Sequence, residues 1–87
     1  MFYVYILQSA DSQTYIGYTS DLRRRFAEHN SGASKHTKNK KWKLVYYEAY
    51  VSKKDATKRE ARLKQYANSL SHLKKRIENS LSHKSVG

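Results

Sequence analysis

Side chains able to carry acid–base or anion chemistry recur at defined spacings in this chain. Arg25 and His29 lie four residues apart, so they share one flank of a predicted helix. Glu60 falls on the apolar stripe of another predicted helix, where a carboxylate is costly unless it meets a cation or a metal. Tyr5 and Tyr15 lie on the apolar runs before the first helix. Phosphodiester cleavage could use such groups, since it needs an activated water, a cation beside the phosphate and a stabilised leaving oxygen.

Arg25 and His29 each also have a structural interpretation. Arg25 offers a planar fork to a phosphate, or it forms an ion pair with Glu28 or Glu48. His29 is an auxiliary base or a phosphate ligand, or it is a histidine that the helix dipole favours near a C-terminal end. For His29 both interpretations stay open.

Glu60 is the candidate metal ligand. One carboxylate can hold Mg²⁺ or Mn²⁺ when water and phosphate oxygens fill the remaining positions. The alternative is an ion pair with a basic neighbour on the same helix. Those neighbours, which we expect to point elsewhere, are Arg59, Arg62 and Lys64.

The N-terminal part of the chain predicts a hairpin followed by a helix. The run from Phe2 to Leu7 has almost no polar alternation, which indicates a strand covered on both faces. Residues 14–19 form the second strand. The helix then begins at an N-cap, Ser20, and stops at residues 30–32, with Leu22 and Phe26 facing the core.

The next segment predicts a third strand from Lys43 to Val51, with Leu44, Tyr46 and Glu48 on one face. A strand–helix–strand crossover makes the second and third strands parallel, so the first strand fits between them and antiparallel to both.

Two more helices complete the prediction. A capping box at residues 52–55 starts one near Lys53, with Ala56, Leu63 and Ala67 on its apolar stripe. The last begins near Ser69 or Ser71. We therefore predict an α/β fold with a three-stranded sheet, order β-β-α-β-α-α, in one domain over residues 1–81 with a disordered tail over residues 82–87.

The charge of the chain indicates a polyanionic partner. Eighteen Lys and Arg residues against seven Asp and Glu residues give a formal net charge of +11. Nucleic acid is the commonest such partner of a small basic domain, although residues 33–41 could equally be a solvated loop. The basic residues predicted to contact nucleic acid are Arg23, Arg24, Lys35, Lys38, Lys40 and Lys41.

Composition excludes several other classes. The chain has no cysteine, so disulfides and cysteine–zinc sites cannot stabilise it. Its N-terminal apolar run is too short for a signal peptide or a membrane span. We expect a cytoplasmic protein with no membrane association and no small-molecule cofactor.

These residues resemble the GIY-YIG nuclease family. Its second motif is present as Tyr15-Ile16-Gly17, and its first as Tyr3-Val4-Tyr5 with tyrosine in place of the leading glycine. In the family an arginine lies ten residues after the tyrosine of the second motif, and a His or Tyr lies four residues after that arginine. In this chain these positions are Arg25 and His29. The similarity extends through residues 42–48 and 59–64, as in small stand-alone bacterial members.

The resemblance implies a metal-dependent endonuclease that cuts DNA with little sequence specificity, or in a structure-directed way, in DNA repair or processing. RNA is an alternative substrate. It implies catalytic roles for Tyr5, Tyr15, Arg25, His29 and Glu60, with Tyr15 as general base, Tyr5 positioning water or phosphate, Arg25 on the scissile phosphate and Glu60 on Mg²⁺ or Mn²⁺. The alternatives are a catalytically weak nucleic-acid-binding module and a ribosome-associated basic protein.

Overall fold

The order of helices and strands is the predicted one. A computed structural model describes residues 1–31 and 41–81. The elements are β1 (Phe2–Ser9), β2 (Thr14–Thr19), α1 (Leu22–Ser31), β3 (Trp42–Tyr50), α2 (Lys53–Gln65) and α3 (Ala67–Arg76). Lys35, Lys38, Lys40 and the tail over residues 82–87 lie outside the described residues. Within the described ranges, no helix has the length and apolar character needed to span a membrane.

β1 is the central strand, as its apolar run predicts. The sheet has the order β2-β1-β3, and β1 is antiparallel to both neighbours. Residues 4–7 of β1 are at most 1% exposed, because the sheet is covered on both faces. In the β1–β2 turn, the Ser9 hydroxyl donates to the Asp11 carboxylate and Ser12 adopts a left-handed φ of 67°.

A β-bulge interrupts the pairing of β1 with β3. Ile6 pairs with Tyr46 whereas Leu7 pairs with Leu44, so Val45 is the extra residue. The bulge shifts the alternation of β3, and Leu44 therefore packs on the α1 side of the sheet while Tyr46 packs on the opposite side. The prediction that Leu44 and Tyr46 share one face is wrong for this reason.

The helices lie on opposite faces of the sheet. On one face, Leu22 and Phe26 of α1 pack against Tyr5, Leu7 and Trp42. On the other face, α2 and α3 contribute to a second cluster whose buried members are Val4, Ile6, Ala56, Leu63 and Leu73. This division leaves α1 beside the odd-numbered residues of β1.

The helix ends differ in detail from the predicted ones. Asp21, not Ser20, caps α1, since its carboxylate accepts a hydrogen bond from the Arg24 backbone N–H at 3.1 Å. Ser52 caps α2 as predicted, accepting from Asp55 N–H at 3.3 Å. Ala67 is exposed at the start of α3, because α2 ends at Gln65, so its assignment to the α2 stripe is wrong.

Glu48 ties β3 to α2. Arg59 donates to its carboxylate from Nε at 2.9 Å and from Nη2 at 3.0 Å, and the hydroxyls of Tyr46 and Tyr50 donate to it as well. Burial raises the pKa of Glu48, but these hydrogen bonds outweigh burial and hold the pKa below its usual value. Arg59 is thus the ion-pair partner of Glu48.

Candidate active site

The centre of the site is a hydrogen bond between β1 and α1. The Tyr5 hydroxyl lies 2.8 Å from Nε2 of His29, and the two side chains are 1% and 0% exposed. His29 belongs to the last turn of α1, where the dipole favours it, but its burial against Tyr5 gives it a specific partner as well. Neither group reaches solvent directly, so each is suited to positioning a neighbour.

Gly17 makes room for Tyr5. The two residues are directly paired across β1 and β2, and a Cβ at Gly17 would lie 2.3 Å from both Cζ and Oη of Tyr5. A side chain there would displace the ring and its hydroxyl from His29. The sequence analysis assigned no role to Gly17, although counting the hairpin register would have paired it with Tyr5.

Tyr15 joins this cluster from β2. Its ring centroid lies 4.9 Å from that of His29, 6.4 Å from that of Tyr5 and 6.3 Å from that of Trp42. Tyr15 is partly exposed whereas Tyr5 is buried. Of the two tyrosines, Tyr15 is therefore the one that a water molecule can approach.

The environment keeps the Tyr5 phenol protonated. Burial raises the pKa of Tyr5 to about 12, Tyr15 adds to the rise, and a hydrogen bond from Arg25 opposes it. Such a phenol is a poor base near neutral pH but a good hydrogen-bond donor. The negative charge of the Glu60 carboxylate also raises the pKa of Tyr5, so Glu60 lies within electrostatic range of this phenol.

Arg25 lies beside the tyrosines and is held by Glu28. Its Nη1 donates to Oε1 of Glu28 at 2.9 Å, so one of the two predicted ion-pair partners is present. This hydrogen bond raises the pKa of Arg25, burial opposes the rise, and Tyr5 contributes to it. The side chain is 32% exposed, so the guanidinium can still reach a ligand.

Glu60 carries an ion pair of the kind that the sequence analysis named as the alternative to a metal. Lys64 Nζ lies 3.0 Å from Oε2 of Glu60, one helical turn away, so the expectation that Lys64 points elsewhere is wrong. The Lys64 side chain is 49% exposed and can swing into solvent. Within residues 1–31 and 41–81, no three His, Cys, Asp or Glu side chains group as a metal site. A single accessible carboxylate still fits a hard divalent ion that keeps its waters.

Asn30 closes the far end of the site. Its Oδ1 accepts from the Trp42 backbone N–H at 2.8 Å, and its Nδ2 donates to the Trp42 carbonyl at 3.0 Å. This pair of bonds fixes the end of α1, next to His29, against the start of β3. The sequence predicted only that the helix stops here, because nothing in the local pattern indicates a partner twelve residues away.

Of the basic residues predicted to bind nucleic acid, the structure describes Arg23, Arg24 and Lys41, and it does not gather these three in one place. Arg23 and Arg24 are exposed on α1, and Arg24 lies 3.9 Å from Glu28. Lys41 is exposed beside the β1–β2 turn, where it lines a shallow cavity with Ser9 and Asp11.

Comparison with known proteins identifies related chains. The profile of a family described as the GIY-YIG catalytic domain matches residues 1–76. A UPF0213 protein of Streptococcus pneumoniae serotype 4 is 47% identical over 64 residues, and a UPF0213 protein of Bacillus pumilus is 36% identical over 86 residues. These matches cover 71% and 93% of this chain, and 65% and 88% of the respective relatives. This chain therefore spans less than two thirds of the pneumococcal protein.

A solved structure has the same fold. The solution NMR structure of a UPF0213 protein from Bacillus halodurans is similar over 100% of both chains, with a TM-score of 0.54 and 33% sequence identity. The names of these relatives specify no reaction.

Proposed function

Because this chain belongs to the GIY-YIG family, which is a family of nucleases, we propose that it is a metal-dependent endonuclease that cuts DNA with little sequence specificity. Membership of this family, predicted from the two tyrosine motifs, is confirmed by the match of the family profile over residues 1–76. The observation that carries the proposal is the buried contact of Tyr5 with His29, directly beside Tyr15 and Arg25.

Tyr15 acts as the general base in this proposal. Its partial exposure gives water access, and its ring lies against His29. Tyr5 and His29 are positioning residues, because they are buried and bonded to one another. The raised pKa of Tyr5, about 12, fits the positioning role, since Tyr5 stays a protonated hydrogen-bond donor.

Arg25 binds the scissile phosphate. Glu28 holds the guanidinium from one side, and its partial exposure leaves other N–H groups for a phosphate oxygen. A guanidinium placed there neutralises charge that grows on the phosphate as the bond breaks.

Glu60 would hold Mg²⁺ or Mn²⁺, with Lys64 displaced into solvent. Nucleases of this family generally depend on a divalent metal, which supplies Lewis-acid stabilisation of the phosphate and leaving oxygens when bound. Glu60 contributes the carboxylate, and its influence on Tyr5 supports its closeness to the tyrosine cluster.

The substrate proposal rests on charge. A net charge of +11 favours a polyanion, with DNA as first choice and RNA as the alternative. Roles in DNA repair or processing and a place in the cytoplasm stay predictions.

A cleavage assay on supercoiled plasmid, with Mg²⁺, Mn²⁺ or EDTA, tests this function. We expect nicking with either metal and none with EDTA. Glu60→Gln should abolish nicking while DNA affinity and melting temperature change little, because a partly exposed i,i+4 ion pair on a helix is worth only about 0.3–0.5 kcal/mol.

Glu78→Gln is the matched control, since it removes the same charge from an exposed carboxylate outside the site. Full activity of Glu60→Gln would disprove the metal-ligand role. Salt-sensitive binding without cleavage under any condition would favour the nucleic-acid-binding module, and cosedimentation with ribosomes would favour the ribosome-associated alternative.

A further inference from the structure

An open groove of about 440 Å³ lies between α1 and β3, on the sheet face that carries the tyrosine–histidine cluster. Its walls include Tyr3 and Tyr47 from the sheet and Arg23 and Phe26 from α1. Arg25 and His29, on the other flank of α1, do not line it. The groove is therefore separate from the candidate active site.

The sheet side of the groove is aromatic. Tyr3 and Tyr47 pack edge to face, with ring centroids 5.9 Å apart and an interplanar angle of 66°. Tyr47 is 52% exposed, so much of its ring is available to a ligand. A tyrosine ring supported by a second one and open to solvent is suited to stacking on a flat aromatic ligand.

Apolar side chains cover the floor and the opposite wall. Leu22 and Phe26 of α1 face Leu44 of β3 across the groove. All three are partly buried against the core, which fixes their positions. The volume lies within the range of small-ligand sites in proteins.

Of the residues that the structure describes, one cation and one anion line the groove. Arg23 is exposed at its edge, where its guanidinium can contact a phosphate. The acidic residue that lines the groove, Asp21, already accepts a hydrogen bond from the Arg24 N–H at the start of α1. With a net charge of +11 over the chain, a ligand with a planar ring and a phosphate matches this combination better than an apolar peptide.

We propose that the groove binds an unpaired nucleobase, which stacks on Tyr47 while Arg23 contacts the adjoining phosphate. Tyr47 pairs directly with Tyr5 across β1 and β3, so the groove lies one strand away from the cluster. The proposal rests on the proposed function, in that it names single-stranded segments as the part of the substrate held beside the site.

The test compares binding of a labelled single strand with that of a blunt duplex of equal length, by fluorescence anisotropy in EDTA. Tyr47→Ala should weaken single-strand binding by roughly 5- to 150-fold, the range for loss of one stacked base, and change duplex binding less than about twofold. Tyr47→Phe should bind as the unmodified protein does, since it keeps the ring.

Tyr66→Ala is the matched control, because Tyr66 is 57% exposed and does not line the groove. Equal losses for Tyr47→Ala and Tyr66→Ala, equal losses on single strand and duplex, or no loss at all would overturn the proposal, and the last result would favour a protein partner. Since the assay measures binding without metal, a chain that cuts nothing would refute the proposed function and leave this test intact.

Discussion

Replacing Gly17 with alanine should disrupt the buried contact between Tyr5 and His29. The new Cβ would lie 2.3 Å from Cζ and Oη of Tyr5, far inside contact distance. Tyr5 is 1% exposed and is packed in the core, so we expect the clash to displace its hydroxyl from His29.

The size of the effect follows from these two losses. Overpacking of a core costs about 1–3 kcal/mol, and leaving a buried hydrogen-bonding group without its partner costs about 1–3 kcal/mol more. We therefore expect Gly17→Ala to lower the free energy of unfolding by about 2–6 kcal/mol. An alanine in a strand without this clash would instead stabilise it by about 0.5–1 kcal/mol.

A double-mutant cycle measured by urea unfolding tests the cause. Tyr5→Leu shortens the side chain that the Cβ meets, so Gly17→Ala should cost less than about 1 kcal/mol in that background. A coupling energy of about 2 kcal/mol or more would support direct contact between the two residues. Additive effects, or a Gly17→Ala protein as stable as the unmodified one, would refute the reasoning.

Four further tests address the candidate site, the hydrogen bonds around Glu48 and the charge of the chain. Tyr15→Phe should lower the cleavage rate by about 10²- to 10⁴-fold in single-turnover assays with an unchanged melting temperature. Arg25→Ala should lower the cleavage rate by a similar factor, and Arg25→Lys should not restore it, since lysine lacks the planar fork. A wild-type cleavage rate in the Tyr15 or Arg25 variants would mean that the general base or the phosphate-binding residue lies elsewhere. Glu48→Gln should cost about 1–3 kcal/mol near pH 7 by leaving the Arg59 guanidinium without its counter-charge. Because the pKa of Glu48 is lowered in the folded protein, its stabilisation is present above the ordinary value of 4.5 and is lost as the pH falls below it, so the urea midpoints of variant and unmodified protein should converge as the pH is lowered. Finally, log K for duplex DNA should fall with log salt at a slope of roughly −3 to −4 if about four phosphates are neutralised, and a flat response would contradict this.

The local sequence pattern predicted the order of the strands and helices and the central position of β1. The unbroken apolar run of β1 indicated a strand covered on both faces, and the fold has it at the centre of the sheet. The four-residue spacing of Arg25 and His29 placed both on the tyrosine side of α1. These features depend on neighbouring residues along the chain, which a sequence displays directly.

Contacts between distant elements were harder to predict. The bulge at Val45 places Leu44 and Tyr46 on opposite faces of the sheet, and the residue type at position 45 does not indicate a bulge. The ion pair of Glu60 with Lys64 depends on side-chain rotamers, which spacing alone does not determine. Burial of His29 depends on the height of α1 above the sheet, and that height is set by packing.

The two hydrogen bonds of Asn30 to the Trp42 backbone bear on how this chain can vary. They join the end of α1 directly to the start of β3, so the helix turn that carries His29 is attached to the sheet by more than the chain that connects the two elements. We therefore expect changes of sequence between Ser31 and Lys41 to leave the tyrosine–histidine cluster in place, as long as Asn30 is kept.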